Sequence, residues 1–385
     1  MKKIVFFVLL IWVFISCKKA NETDYPVLSV DITKRNIPSV FDIFSKIEII
    51  PLETTDSSLL GERSINITSY NNHYYTLNQP VPSVFVFYCF DEQGKFIRQI
   101  GSRGQGPEEY NYVNSYVINK SDNTVELLSP FGYIYTYELT GKFVGKKRLP
   151  DLVPNYQDIK LLNDSLRILT SSVGNNEDQL YVYSTKSNTI VNSFYQENPA
   201  ISPIYTSQLY QYNDSIYFFA PLVSTVFKIN QHGYEVAYAW DFGAMNPENT
   251  KLDSDITKQH LSELLHDSQI KGIYICPFQN DTYYYTQFSR YVDQVIAPPI
   301  NVFYDKRNNK KYVFETFKED LSFFPVYWCN DYVLASSATV LFNSVTNTEM
   351  PNKKVIPSVL DEENRKKLEA MQEDDNPFII KYYFK

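Results

Sequence analysis

The chain has 385 residues, a formal net charge of -8 at pH 7 and an aromatic content of 16%. The acidic balance argues against nucleic acid as a partner, because contacts with phosphate need a basic surface. The chain contains 32 tyrosines and 26 phenylalanines. Because aromatic residues are enriched in strands, this composition favours a sheet-rich fold.

The N-terminus has the features of an export signal. Two lysines precede an apolar run from Ile4 to Ile15, and this run is too short for a membrane span of roughly 20 residues. A serine directly before Cys17 resembles the lipobox of bacterial lipoproteins, although Phe14 stands where leucine is commoner. The resemblance implies that residues 1–17 are a signal peptide and that Cys17 is acylated. The alternative is an ordinary secretory signal.

The polar stretch "KKANETD" follows Cys17. We predict that residues 18–40 form a tether and that residues 41–385 form the folded domain. The expected location is the cell envelope, with the protein lipid-anchored in the outer membrane. The sequence leaves open whether the domain is periplasmic or surface-exposed, and which membrane leaflet holds the anchor.

A repeat of short strands runs along the chain. Six segments each contain a strand, a polar pair and a second strand. The anchor residues of these pairs are Asn72, Asp122, Asp164, Asp214, Asp281 and Asp331. They lie 50, 42, 50, 67 and 50 residues apart, and a period of about 40 to 50 residues is typical of propeller blades. Asn and Asp suit two-residue turns because they tolerate positive φ.

A second hairpin follows the first in most repeats, as in "VFVFYCFDEQGKFIRQIG" and "IYTYELTGKFVGKKRL". Two hairpins make a four-stranded blade. The sequence therefore predicts an all-β fold, a six-bladed β-propeller of four-stranded blades.

Two helical stretches interrupt the strands. Apolar residues at near-helical intervals follow Asp253 and Ser254, which predicts a short helical insertion near 254–267. A second helix is predicted near 358–373. The last repeat supplies only three strands, so the N-terminal strand Lys46 to Glu53 is predicted to complete the last blade and close the ring. An open ring would leave edge strands exposed.

The stretch "IGSRGQGPEEY", Ile100 to Tyr110, places three glycines within six residues. No Lys-Ser or Lys-Thr follows them and the next segment is strand-like, which argues against a phosphate-binding loop. The spacing also differs from the dinucleotide fingerprint. We therefore predict a turn between two blades.

Four stretches carry a family resemblance: "IEIIPLET", "DEQGKFIRQIG", "GxGPEEY" and the terminal "NPFIIKYYFK". Together they resemble the six-bladed β-propeller lipoproteins of anaerobic gut bacteria, an NHL-like or TolB-like group of unknown function. The resemblance covers most of residues 40 to 385. It implies the propeller fold and the lipid anchor, and it implies no particular activity.

Two groups of residues are candidates for ligand binding. Arg103, Glu108 and Glu109 belong to the glycine-rich loop and could line one face of the ring. Tyr284 and Tyr291 belong to the aromatic cluster "DTYYYTQFSRY", and tyrosine rings stack on sugars while the hydroxyl stays in water. Packing between blades also explains the cluster, and the sequence leaves both interpretations open.

No metal site or cofactor is predicted. The four histidines are scattered, and Asp253 and Asp255 lack the glycine and glutamate of a calcium loop. Cys89, Cys276 and Cys329 contain no CxxC pair, and whether Cys276 and Cys329 form a disulfide stays open.

Function is less constrained than fold, because propellers carry enzymes, binders and scaffolds alike. The leading hypothesis is a non-catalytic binding or scaffold module for an envelope protein, a peptide or a glycan. The alternative is a propeller enzyme that acts on a carbohydrate or lactone at the channel mouth. The second hypothesis needs several acidic residues and an Asn that converge at the axis. The sequence leaves the ligand and the oligomeric state open.

Overall fold

The structure is a computed structural model that describes the chain from residue 23 to 385 with internal gaps. The described ranges are 23–61, 66–81, 84–150, 155–171, 178–196, 208–220, 223–249, 274–289, 291–292, 295–337, 359–372 and 374–385. Within these ranges no helix is long and apolar enough to cross a membrane.

Six four-stranded antiparallel sheets form the blades of a propeller ring, which confirms the predicted fold class. The first three blades are consecutive along the chain. Blade one contains β3 (Asn66–Tyr70), β4 (His73–Val81), β5 (Val84–Asp91) and β6 (Phe96–Gln99). Blade two contains β7 (Ser115–Asn119), β8 (Thr124–Ser129), β9 (Tyr133–Glu138) and β10 (Phe143–Arg148). Blade three contains β11 (Tyr156–Leu161), β12 (Leu166–Ser171), β13 (Asp178–Ser184) and β14 (Thr189–Gln196).

Blades four and five also each contain four strands, and blade five has an additional hairpin. Blade four contains β15 (Leu209–Tyr212), β16 (Ser215–Phe219), β17 (Thr225–Asn230) and β18 (Gly233–Asp241). Blade five contains β19 (Tyr274–Gln279), β20 (Tyr283–Ser289), β23 (Ile300–Asp305) and β24 (Lys311–Phe314). Between β20 and β23 lies a small hairpin of β21 (Tyr291–Val292) and β22 (Val295–Ile296).

The sixth blade joins the two ends of the chain, as predicted. It contains β25 (Pro325–Trp328), β26 (Tyr332–Ser336), β27 (Phe378–Phe384) and the N-terminal strand β2 (Phe44–Pro51). β2 is the outer strand and pairs antiparallel with β27, with Glu48 opposite Lys381 and Ile50 opposite Ile379. The outer edge of β27 is therefore covered by a strand more than 300 residues earlier in sequence.

The residues just before this strand are packed against the ring. β1 (Val27–Ser29) pairs parallel with β18 as a fifth strand of blade four. Leu28, Val30 and Ile32 are buried. Within the segment predicted as a tether at 18–40, alternate apolar side chains of residues 28–32 enter the core between blades four and five.

The hairpin anchors form their turns in two ways. Asn72 and Asp214 have φ of 58° and 57°, as expected for two-residue turns. In blades three and five the asparagine before the anchor closes the turn with its side chain. Asn163 Oδ1 accepts from the amides of residues 165 and 166, and Asn280 Oδ1 accepts from those of residues 282 and 283. Asn and Asp serve both geometries, which explains the shared sequence signal.

Helix α1 (Glu362–Ala370) confirms the helix predicted near 358–373. The Asp361 side chain caps its N-terminus by accepting from the amide of Asn364. Short 3-10 turns lie at Val40–Asp42, Gly243–Met245 and Pro247–Asn249. The insertion predicted near 254–267 lies outside the described residues.

The hydrophobic core consists of layers between neighbouring blades. Phe44 packs against Phe303 and Phe323 between the last two blades, with ring centroids 6.0 and 5.6 Å apart. Because alternate residues of a strand point to opposite faces of a blade, both faces need bulky side chains. This requirement explains the abundance of tyrosine and phenylalanine.

Polar side chains also connect the blades near the axis. The hydroxyl of Tyr116 donates to the backbone oxygens of Asn66 and Tyr75. Ser115 Oγ donates to Asp158 at 2.5 Å, which joins blades two and three. The buried Arg167 guanidinium on β12 holds the Glu126 carboxylate on β8 through two bonds of 2.8 and 2.7 Å.

The Arg167–Glu126 pair generates a test of this packing. Arg167→Met should lower the free energy of unfolding by about 3 to 5 kcal/mol, because it leaves a buried carboxylate without its counter-ion. The double variant Arg167→Met/Glu126→Leu should recover most of the loss. Urea denaturation of the three proteins measures both effects, and a double variant as unstable as the single one would contradict the explanation.

Candidate functional site

The glycine-rich loop turns the chain between blades one and two. Gly101 has φ of +66°, and a Cβ there would lie 2.7 Å from the Tyr137 ring. The Glu109 carboxylate accepts from the amide of Gly106 at 2.8 Å, and it occupies the space that a Cβ on Gly104 would need. The loop amide of Gly106 therefore bonds the loop's own carboxylate, as expected for a structural turn.

The three candidate residues of this loop have different environments. Arg103 and Glu108 are exposed and Glu109 is half-buried. The backbone of Arg103 forms an isolated bridge with Tyr110, and the backbone oxygen of Glu108 accepts from the Tyr137 hydroxyl at 2.7 Å. The loop follows the outer strand of its blade, so it lies at the end of the ring opposite the anchor turns. A role of these residues in ligand binding stays a prediction.

The two candidate tyrosines are not equally described. Tyr291 pairs with Ile296 through β21 and β22, and its side chain lies outside the described part of the structure. Tyr284 is half-buried near the anchor turns, with its ring centroid 4.6 Å from that of Tyr238. Tyr284 therefore lies at the other end of the ring from Arg103 and Glu108.

A lysine that the sequence analysis missed lies beside Tyr284. Lys306 Nζ is 4.2 Å from the Tyr284 ring centroid and 4.9 Å from that of Tyr212. It donates to Gln279 Oε1 at 3.1 Å and to the backbone oxygen of Asn280 at 2.6 Å. Burial lowers the pKa of Lys306 to about 8, and the nearby Asp281 opposes the shift.

A second feature that the sequence did not indicate is a concavity where blade six meets blade one. Two adjoining cavities of about 220 and 310 Å³ share Pro51 and Gln93 in their walls. We call them together the seam cavity. The charged and phenolic side chains that line the smaller cavity are Glu48, Tyr74, Glu92, Lys367, Lys381 and Tyr383.

Lys381 is the half-buried cation of the seam cavity. Its Nζ lies 4.1 Å from the Tyr332 ring centroid and 4.9 Å from that of Tyr383. Burial lowers the pKa of Lys381, and the carboxylates of Glu48 and Glu92 oppose the shift. Among the described residues no carboxylate forms an ion pair with Lys381. The ammonium therefore has donor capacity left for a ligand.

Tyr74 is the second group with unused hydrogen-bonding capacity. Its side chain is 3% exposed, and its hydroxyl has no hydrogen-bond partner in the described part of the chain. Burial raises the pKa of Tyr74, so the phenol stays protonated. The Tyr74 hydroxyl is not among the described buried atoms that lack a partner, so it reaches solvent in the cavity while the rest of the side chain is buried. By contrast, the Tyr383 hydroxyl donates to Glu48 Oε2 at 2.6 Å and fixes that carboxylate.

The described residues contain no group of three or more His, Cys, Asp or Glu that could hold a metal ion. Cys276 and Cys329 form no disulfide with one another in the described structure. Cys17 lies outside the described residues.

Three comparisons place the chain among known proteins. The sequence profile of the family described as "Domain of unknown function (DUF4934)" matches residues 26–383. No curated protein matches the sequence. A solved structure from Bacteroides fragilis, of a protein named for its predicted export, is 17% identical with a TM-score of 0.70. The match covers 93% of this chain and 99% of that one.

A second solved structure is a member of the DUF4221 family from Bacteroides vulgatus. It is 10% identical with a TM-score of 0.53, over 91% of this chain and 99% of that one. At these identities the two likenesses support the propeller fold alone.

The burial of Lys306 predicts how the acetylation rate of its amine depends on pH. Only the neutral amine reacts with acetic anhydride, so labelling of Lys306 should rise through about pH 8 and then level off. Competitive acetylation followed by peptide mass spectrometry measures this profile, with free phenylalanine of known amine titration added as the reference for reagent decay. A Lys306 labelling rate that still rises at about pH 10 would contradict the effect of burial.

Proposed function

The chain belongs to the family described as "Domain of unknown function (DUF4934)", and from this premise we propose that it is an exported binding module that takes a small polar ligand in the seam cavity. One observation carries the proposal: the Tyr74 hydroxyl and the half-buried Lys381 ammonium border the same concavity, and neither has a hydrogen-bond partner among the described residues. A concave site with a few convergent polar groups on a rigid scaffold is the usual form of a ligand site.

The N-terminal sequence supports the proposed location. Its lysines, apolar run and lipobox-like Ser16-Cys17 are the features of a lipoprotein signal. We propose that Cys17 is acylated and holds the ring to the outer membrane, on its periplasmic or its outer side. The remaining tether is short, because the chain packs against blade four from Val27 onward. The name of the similar Bacteroides fragilis protein, which refers to export, agrees with this location.

The described geometry favours binding over the alternative of a propeller enzyme. An enzyme at the channel mouth would need free acidic residues on the inner strands. Asp158 on β11 instead accepts hydrogen bonds from Ser115 and from its neighbour Ile159, and it pairs with Lys160. These contacts engage the carboxylate in joining blades two and three. A binding module needs no such acid, and we assign the module no catalytic step.

The expected partners are ligands of the cell envelope. We propose that the ligand is part of a glycan, a peptide or an envelope protein, since each of these presents small polar groups to an exported ring. The net charge of -8 argues against nucleic acid.

A thermal-shift measurement on the chain that starts after Cys17 tests the site. Neutral disaccharides, glucosamine, dialanine and glucuronate serve as probes, because a ligand that binds only the folded state raises the Tm. At least one probe should raise the Tm. Lys381→Met should weaken that binding at least about tenfold, since a charged hydrogen bond is worth roughly 1.5 to 3 kcal/mol.

Lys366→Met is the matched control, because Lys366 lies on the same helix that borders the cavity and is exposed to solvent. Its response to the probe should equal that of the wild type. No shift with any probe, or an equal loss in both lysine variants, would contradict the proposal.

A further inference from the structure

The charged side chains that line the smaller cavity balance, whereas Glu53, Asp375 and Lys95 leave the adjoining cavity with one excess carboxylate. Glu48 and Glu92 contribute two carboxylates, and Lys367 and Lys381 contribute two ammonium groups. An anionic ligand would approach two carboxylates and a cationic ligand two ammonium groups, and such like-charge contacts are costly. In the smaller cavity the balance therefore favours a ligand without net charge.

The lining of the smaller cavity holds both donors and acceptors. Tyr74 and Lys381 provide donors, whereas the Glu48 carboxylate, oriented by Tyr383, provides acceptor oxygens. A hydroxyl group both donates and accepts, so adjacent hydroxyls of one ligand can bond a lysine or tyrosine on one side and a carboxylate on the other. A ligand with only acceptors or only donors leaves one set without partners, which is costly in a partly buried site.

The volumes of the two cavities and their apolar surface restrict the class of ligand further. The smaller cavity has about 220 Å³, the space of roughly seven water molecules at about 30 Å³ each, and this fits one saccharide ring. The adjoining cavity of about 310 Å³ is a shallow depression that is open to solvent, with room for a second ring. Pro51 lines both cavities and offers them an apolar surface, which suits the C–H face of a sugar.

We infer that the seam cavity binds an uncharged saccharide of one or two rings, with Tyr74 and Lys381 donating to its hydroxyls and Glu48 accepting from them. This inference rests on the proposed function, because it names the ligand class of the same site.

Isothermal titration with lactose, glucuronate, glucosamine and dialanine tests the inference. Lactose should bind the wild type at least about tenfold more tightly than glucuronate or glucosamine. Tyr74→Phe should weaken lactose binding about fivefold or more, because it removes one donor. Its Tm without ligand should stay at the wild-type value, since this hydroxyl has no partner among the described residues. Tyr234→Phe, at an exposed site on blade four, is the matched control and should bind as the wild type.

The Glu48→Gln variant tests whether the charges of the cavity, and not its shape, disfavour an anionic ligand. It removes one carboxylate while keeping the side chain's size, so glucuronate should bind about threefold or more tightly to the variant than to the wild type. Lactose should bind the variant more weakly, because the amide is a poorer acceptor than the carboxylate.

The outcomes distinguish the ligand class from the function. Binding of dialanine that Tyr74→Phe weakens, without binding of lactose, would overturn the saccharide and leave the binding module in place. Unchanged lactose binding in Tyr74→Phe and Lys381→Met would overturn the assignment to this cavity. Failure of all four probes to bind would overturn both the inference and the proposed function.

Discussion

The pairing of β2 with β27 is the constraint on which the rest of the structure depends. It joins strands at opposite ends of the chain through a register that places Ile49 opposite Ile380. Both side chains lie in the core layer between blades five and six. Without this pairing β27 would be an exposed edge strand and the ring would have no closing contact. The pairing also places Lys381 and Glu48 next to blade one, so ring closure and the seam cavity have the same origin.

Tyrosine serves two purposes in this ring. Its rings fill the layers between blades, and its hydroxyls bond across them, as Tyr210 and Tyr238 do at 2.9 Å within the core. In the cluster "DTYYYTQFSRY", Tyr283 and Tyr285 are buried and Tyr284 faces the opposite side of β20. Packing between blades therefore explains why tyrosine occupies positions 283 and 285. Tyr284 has a half-buried position beside Lys306, where its ring contacts the lysine side chain.

The architecture could be predicted from sequence because it depends on local signals that repeat. An Asn or Asp between two aromatic-rich strands marks each inner hairpin, whether the turn uses positive φ at Asn72 or the side chain of Asn163. The count of strands in the last repeat then requires the N-terminal strand as the fourth. β1 could not be predicted in the same way, since three residues that pair in parallel with a distant strand leave no periodic pattern of their own.

The candidate site was harder to predict for a physical reason. Glu48, Tyr74 and Lys381 come from three strands far apart in the sequence, and their proximity depends on the register across the seam. Arg103 and Glu109 are recognisable candidates in the sequence because both belong to one glycine-rich loop. In the structure the Glu109 carboxylate accepts a hydrogen bond from the amide of Gly106 and so stabilises that loop. Sequence patterns identify turns of this kind more readily than sites assembled across blades.

Hydrogen exchange of the soluble chain tests the central claim most directly, because it reports whether the two ends are paired in solution. The peptide that covers residues 378–384, whose strand pairs on both sides, should be as strongly protected as the second strand of blade two, β8. About half of the amides of residues 44–51, those that bond β27, should also exchange slowly, and a saturating saccharide should slow both peptides together. Exchange of either peptide at the rate of an unpaired segment, with β8 still protected, would contradict a ring closed by the chain ends.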